Sequence, residues 1–215
     1  MALANYDNLK DAILTEFSRN DSGFVAGLPD FIKRGEAFLN RNLRHHQMRS
    51  TASVSLSSSA STASLPAGFL SDIDLYYTSD KQQLSKATDR DLVYWGQTEE
   101  AQPALYRVGS TYEFERPADQ GYTLTAIYFK ALDLTTDRTN WLLTNYPDAY
   151  LYSACFEAAV SRRNNDRMAV YKPMRDEIVK DTNKLNSRTQ GQTLMRHDSS
   201  LAGRRQFNIN TGSYY

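Results

Sequence analysis

The sequence predicts an α+β fold that is mainly α: a helical bundle with an inserted β-rich subdomain and an extended C-terminal tail. Three observations predict it. Apolar residues recur at spacings of three and four in residues 1–44 and again in 136–189, the pattern of two N-terminal and two or three C-terminal bundle helices. Aromatic and β-branched runs broken by turn residues fill 45–135. From about Ser187 the periodicity is lost, which sets 190–215 apart as an arm.

The first helix rests on Tyr6, Leu9, Ile13 and Phe17, with Asp7 and Asp11 in the first turns, where the helix dipole favours acids. Arg19 to Gly23 is turn chemistry. A second helix is expected from about Pro29 to Arg44, its buried stripe formed by Leu28, Ile32, Gly35, Leu39 and Leu43. Pro29 is tolerated in a first turn. Ser50 to Ser64 contains eight Ser and two Thr, the composition of a linker. Yet Ala52, Val54 and Leu56 alternate with Ser53, Ser55 and Ser57, so a strand to about Ser57 and then a Ser/Ala loop are expected.

Ile73 to Tyr77 reads as a second strand, and Asp89 to Trp95 as a short capped helix. Leu105–Glu115 and Tyr122–Lys130, separated by the turn residues Arg116 to Gly121, read as a hairpin. Helix returns at Asn140–Asn145 and stops before Pro147. Tyr150 to Ser161 is apolar on nearly every side and should be the central buried helix. The last helix is expected from about Asp166 to Asn186, with Met168, Tyr171, Met174, Ile178 and Leu185 inward. Pro173 within it should kink or split it, since an interior proline costs about 3 kcal/mol.

Composition narrows the function classes. In 215 residues, 25 Lys and Arg balance 25 Asp and Glu, which argues against a tight general binder of nucleic acid. The balance hides a polarity. Residues 1–49 carry 7 basic and 6 acidic groups, 50–148 carry 7 and 13, and 149–215 carry 11 and 6. A single cysteine, Cys155, excludes an intrachain disulfide and suits a reducing cytoplasm. No apolar run is long enough for a membrane span, and the first residues lack the pattern of a signal peptide. Fourteen Tyr against nine Phe and two Trp favour a protein with interfaces to make.

Catalytic chemistry finds little support. His45 and His46 are adjacent, so they point apart and read as solvated residues at a helix end. Asp72/Asp74, Glu99/Glu100 and Glu113/Glu115 are carboxylate pairs, and a cell-wall glycosidase resting on Glu113 and Glu115 is one alternative. A solvated strand face is the simpler reading. Arg162, Arg163 and Arg167, with Arg204 and Arg205, offer a second alternative, a basic-ended DNA-binding accessory protein. Cys155 lies in the most apolar helix, where a thiol is an inert hydrophobe. No catalytic, cofactor-binding or metal-binding residue is assigned.

Thr139 to Tyr152 reads TNWLLTNYPDAYLY. This stretch resembles the "NWLL..YPD.YLY" signature of the head-to-tail adaptor (head-completion or connector) proteins of tailed, especially short-tailed, double-stranded DNA phages. Asn5–Leu9, Leu28–Ile32, Arg41–Arg44 and the Leu65–Leu70 segment (LPAGFL) support the resemblance, which covers about residues 5–186. Physically, Trp141, Leu142 and Leu143 form a short apolar helix. Pro147 ends it and opens the next, while Tyr146, Tyr150, Leu151 and Tyr152 surround the corner. It is a packing motif, and Trp141→Ala should cost roughly 3–5 kcal/mol if the ring is buried.

The resemblance implies a structural, non-enzymatic virion protein of the phage neck, assembled in the host cytoplasm. It implies a homo-oligomeric ring, usually of twelve copies, that docks below the portal protein, extends the DNA channel and offers a platform to a tail or nozzle protein. Duplex DNA would pass during ejection without sequence-specific contact. The resemblance also implies a C-terminal extension reaching the portal. In this sequence that arm would use Arg204, Arg205, Phe207, Ile209, Tyr214 and Tyr215, and its alternation suits strand addition.

Overall fold

A computed structural model describes residues 3–88, 91, 95–96 and 98–189, with the backbone of 207–208 and 213–214. Six helices run through it: α1 (Tyr6–Phe17), α2 (Ser22–Asn42), α3 (Leu134–Asp137), α4 (Trp141–Asn145), α5 (Pro147–Ser161) and α6 (Asn165–Thr189). The strands are β1 (Arg49–Leu56), β2 (Thr62–Ala63), β3 (Phe69–Tyr77), β4 (Ser85–Lys86), β5 (Leu105–Val108), β6 (Tyr112–Phe114), β7 (Tyr122–Lys130), β8 (Phe207–Asn208) and β9 (Ser213–Tyr214). Among the described residues helix amounts to 46% and strand to 21%, with two sheets and a short β8–β9 ribbon beside the helices. The mainly helical, bundle-dominated class expected from the sequence is therefore corrected to mixed α+β. Local periodicity misses strands such as β2 and β4, two residues each, which exist only because a partner strand pairs with them.

The helical core collects Tyr6, Leu9, Ile13 and Phe17 of α1 with Phe24, Leu28, Phe31, Ile32 and Leu39 of α2 and the inner face of α5. Helix α2 begins seven residues before the expected Pro29, because Asp21 caps it by accepting the Phe24 N–H at 3.2 Å. Pro29 thus sits inside the helix. At Gly35 the backbones of α2 and α5 nearly touch: a Cβ there would lie 3.0 Å from the Ala154 nitrogen and 3.0 Å from the Ser153 carbonyl carbon. Helix α6 continues through Pro173 without a break. Its inward row is Tyr171, Arg175, Val179 and Thr182, whereas Met174 and Leu185, expected inside, are exposed.

The second core lies between two small sheets, ordered β1-β7-β3 and β2-β6-β5-β4. The expected hairpin across Arg116–Gly121 does not form. Instead β5 and β6 pair antiparallel around Gly109–Thr111, and β7 crosses to the other sheet, between β1 and β3. The longer polar segment looks like the turn but is a crossover. A buried acid ties the sheets together. The Asp72 side chain is 2% exposed. It accepts from the Tyr106 hydroxyl at 2.6 Å and the Tyr112 hydroxyl at 3.4 Å, with the Lys86 ammonium 3.6 Å away. The helix expected over Asp89–Trp95 lies mostly outside the described residues.

Candidate functional site

The Trp141–Tyr152 stretch folds as a corner between two helices. Asn140 caps α4 by accepting the Leu143 N–H at 3.0 Å. Leu142 and Leu143 are fully buried. Tyr146 ends α4, its N–H donating to the Leu142 carbonyl at 2.7 Å, and Pro147 opens α5. The Trp141 ring is half-buried. It stacks on His45 with centroids 4.6 Å apart and meets Tyr146 edge-on at 6.4 Å. Tyr152 stacks on Tyr171 of α6, while Leu151 lines a shallow apolar groove with Leu3, Leu143 and Pro147. His45, expected to be solvated, is buried, and that burial lowers its pKa. Its Nδ1 accepts the Gln47 N–H at 3.3 Å. The apolar flank of Trp141 captured it, a neighbour distant in sequence.

Tyr150 carries the corner into the core. Its hydroxyl accepts from the Asn140 amide at 2.7 Å and donates to Glu36 Oε1 at 2.9 Å. The same oxygen accepts the Leu134 N–H at 2.7 Å. One turn along α2, the Asn40 amide brackets Leu132, accepting its N–H at 2.8 Å and donating to its carbonyl at 3.0 Å. Two polar residues at i and i+4 on one helix thus hold the extended exit from β7 as a neighbouring strand would. Glu36 is buried and its pKa is pushed up to about 7 by desolvation, opposed by the Leu134 and Tyr150 hydrogen bonds. Asp133 and Asp137 add to the rise. Sequence reasoning missed this joint. The available signal was an acid on the apolar stripe of α2, one turn after Ile32.

Of the arginines read as a phosphate patch, Arg162 and Arg167 are engaged in packing. Arg162 lies over the Phe24 ring at 5.4 Å and reaches Asp21 at 3.5 Å. Arg167 lies over Phe17 at 4.5 Å and donates to the Glu16 carbonyl at 2.9 Å, closing the end of α1. Arg163 occupies a left-handed turn position, φ 53°. Arg175, which no expectation placed inside, is buried between Phe38 at 3.7 Å and Phe156 at 4.3 Å.

The carboxylates are likewise occupied. Glu113 pairs with Arg107 at 2.6 Å. Glu115, expected on a solvated face, is buried and accepts the Ala104 and Leu105 N–H groups, both at 2.8 Å. Asp74 accepts from its neighbour Leu75 and from Gln83. Burial pushes the Cys155 thiol well above its usual range. Among the described residues no group of His, Cys, Asp and Glu could hold a metal ion, and no helix is long and apolar enough to cross a membrane. Arg204, Arg205, Ile209 and Tyr215 lie outside the described residues. Phe207 and Tyr214 fall in β8 and β9, which pair antiparallel where an extended arm was expected.

The SU10 adaptor protein family model matches residues 4–200, spanning both cores and all six helices. No curated protein matches the chain.

Proposed function

We propose that the chain, which belongs to the SU10 adaptor protein family and is a structural phage adaptor, forms a ring of twelve copies below the portal. The ring extends the DNA channel and presents a docking platform to the tail or nozzle protein. The observation that carries this reading is the family match over nearly the whole chain. Two features of the molecule support it. Buried aromatic and carboxylate networks stiffen both cores, as a load-bearing ring subunit requires. Arg162 and Arg167, two of the three arginines of the α5–α6 turn, lie over aromatic rings, which lowers the number of cations that turn can offer to passing DNA.

The corner from Trp141 to Tyr152 serves as the fold-holding element in this reading. Residues 1–44 with 136–189 act as one unit, and 45–135 as an inserted one. The arm, with Arg204, Arg205, Phe207, Ile209, Tyr214 and Tyr215, docks the portal by strand addition.

The test is the particle mass of the chain with and without portal rings. A twelve-copy increment on the portal is expected. Deleting residues 195–215 should abolish docking, and unchanged docking would remove the arm from the proposal. A chain that never associates with portal would overturn the ring.

A further inference from the structure

The sheet β1-β7-β3 has two unlike edges. Strand β3 is blunted: its register with β7 shifts twice, between Phe69 and Ser71 and between Asp72 and Asp74, and it carries two aspartates. Strand β1 pairs with β7 over all eight residues in unbroken register, and among the described residues no strand lies on its other side. It has no bulge, no proline and no charge after Arg49. An edge of that kind is a template for another strand. The outer strands of the second sheet, β2 and β4, are two residues long and offer no comparable length.

The chain also holds a ribbon in need of a sheet. Strands β8 and β9 pair over only two residues each. A two-stranded ribbon of that size is marginal in water and needs a third strand. The helix that leads to it passes the approach to β1. Asn183 of α6 accepts the Arg44 N–H at 3.2 Å and donates to the Asn42 carbonyl at 2.9 Å, at the passage from α2 towards β1. Helix α6 ends six residues later, at Thr189, about 9 Å further along its axis. Residues 190–206 reach up to about 55 Å when extended, roughly twice the length of β1. A tether of that length gives the same chain a high effective concentration over a second copy. The sequence around β8, Gln206-Phe207-Asn208-Ile209-Asn210, alternates in the period of a strand.

We propose that the β8–β9 ribbon adds to the open edge of β1 in its own chain, with β8 as the strand that joins the sheet. The exposed backbone of β1 is covered, and the arm is stored on the body until a competing edge draws it away. The inference stands on the two edges and the ribbon, independent of what the arm binds later.

The experiment places a photo-crosslinking amino acid at Phe207 in the full chain and mixes ¹⁴N- and ¹⁵N-labelled protein before illumination. Crosslinks to residues 49–56 within one isotope are expected. Light–heavy pairs would assign the edge to a second copy, and adducts elsewhere, or none, would remove β1 as the site; each outcome overturns the proposal. Independently, Asn208→Pro removes a backbone donor from the ribbon without touching either core. Hydrogen exchange of the β1 amides not bonded to β7 should then speed up about tenfold. Unchanged exchange overturns the docking even if the crosslinker perturbs the arm.

Discussion

The helical core and the sheet core each bury a carboxylate, and they treat it differently. Glu36 is held by two neutral donors, the Leu134 N–H and the Tyr150 hydroxyl, with Asp133 and Asp137 nearby. Asp72 is held by two tyrosine hydroxyls and a lysine at 3.6 Å. A buried acid with a cation nearby keeps its charge compensated, while one among neutral donors trades charge for protonation. The joint between the cores therefore responds to pH near neutrality, whereas the tie inside the β region has a lysine beside its acid. The two tryptophans separate the regions experimentally. Trp141 sits beside His45 in the helical region, and Trp95 sits under Arg107 at 4.7 Å in the β region. Variants keeping one Trp each report one region each.

The largest expected effect is Asp72→Ala, which strands two buried hydroxyls and should cost about 3–5 kcal/mol. Denaturant unfolding read through Trp95 should show it more strongly than unfolding read through Trp141. Equal losses at both would mean that the two cores unfold as one. Next comes Glu36→Gln. A carboxyl whose folded pKa is raised adds stability that is fully present below the unfolded value near 4.5 and lost as pH rises through about 7. The parent should thus be more stable at pH 5 than at pH 8 by about 2–3 kcal/mol from this group. Glu36→Gln should remove that part of the slope; a slope that survives would place the titration on another residue.

Gly35→Ala comes third. The new methyl meets backbone atoms of α5 that cannot swing aside, so crowding should exceed the helix-propensity gain and leave a net loss of about 1–2 kcal/mol. The melting temperature read through Trp141 measures it. Trp141→Ala should be comparable, at about 2 kcal/mol or somewhat less, below the cost of a fully buried ring because this one is half-buried. Loss of the His45 stack should appear in the same variant as an imidazole resonance that titrates closer to its ordinary range. The smallest effect is Arg162→Ala, about 0.5–1 kcal/mol, since the side chain is partly exposed and holds one ring and one carboxylate. It should scarcely change affinity for duplex DNA at moderate salt.

How much of this was legible beforehand differs between the regions in the same way. The α1 stripe and the Trp141–Pro147 corner were readable because helix period, cap and proline are set by residues a few positions apart, even though the surfaces they pack on are distant in sequence. The start of α2 was misread because Gly23 and Pro29 resemble breakers, while the Asp21 cap that overrides them is a single side chain. The β region depended on pairings between distant segments. Nothing local says that β7 crosses sheets, or that Gly109–Thr111 and not Arg116–Gly121 turns the hairpin. The inward row of α6 was mistaken because Arg175 is buried in place of Met174. Two aromatic rings from α2 and α5 accept a guanidinium there, and the sequence of α6 does not carry that information. Glu36 and Asn40 were visible as residues, but their partner is a bare stretch of backbone.

That joint has a mechanical consequence. Three hydrogen bonds, at Leu132 N–H, Leu132 C=O and Leu134 N–H, tie the outgoing end of a central strand sideways onto one helix. A pull along β7 loads them side by side, so they must yield together. A peeling force would part them one at a time. The connection between the two halves of the molecule is thus stiff against tension along the strand and compliant to bending across it.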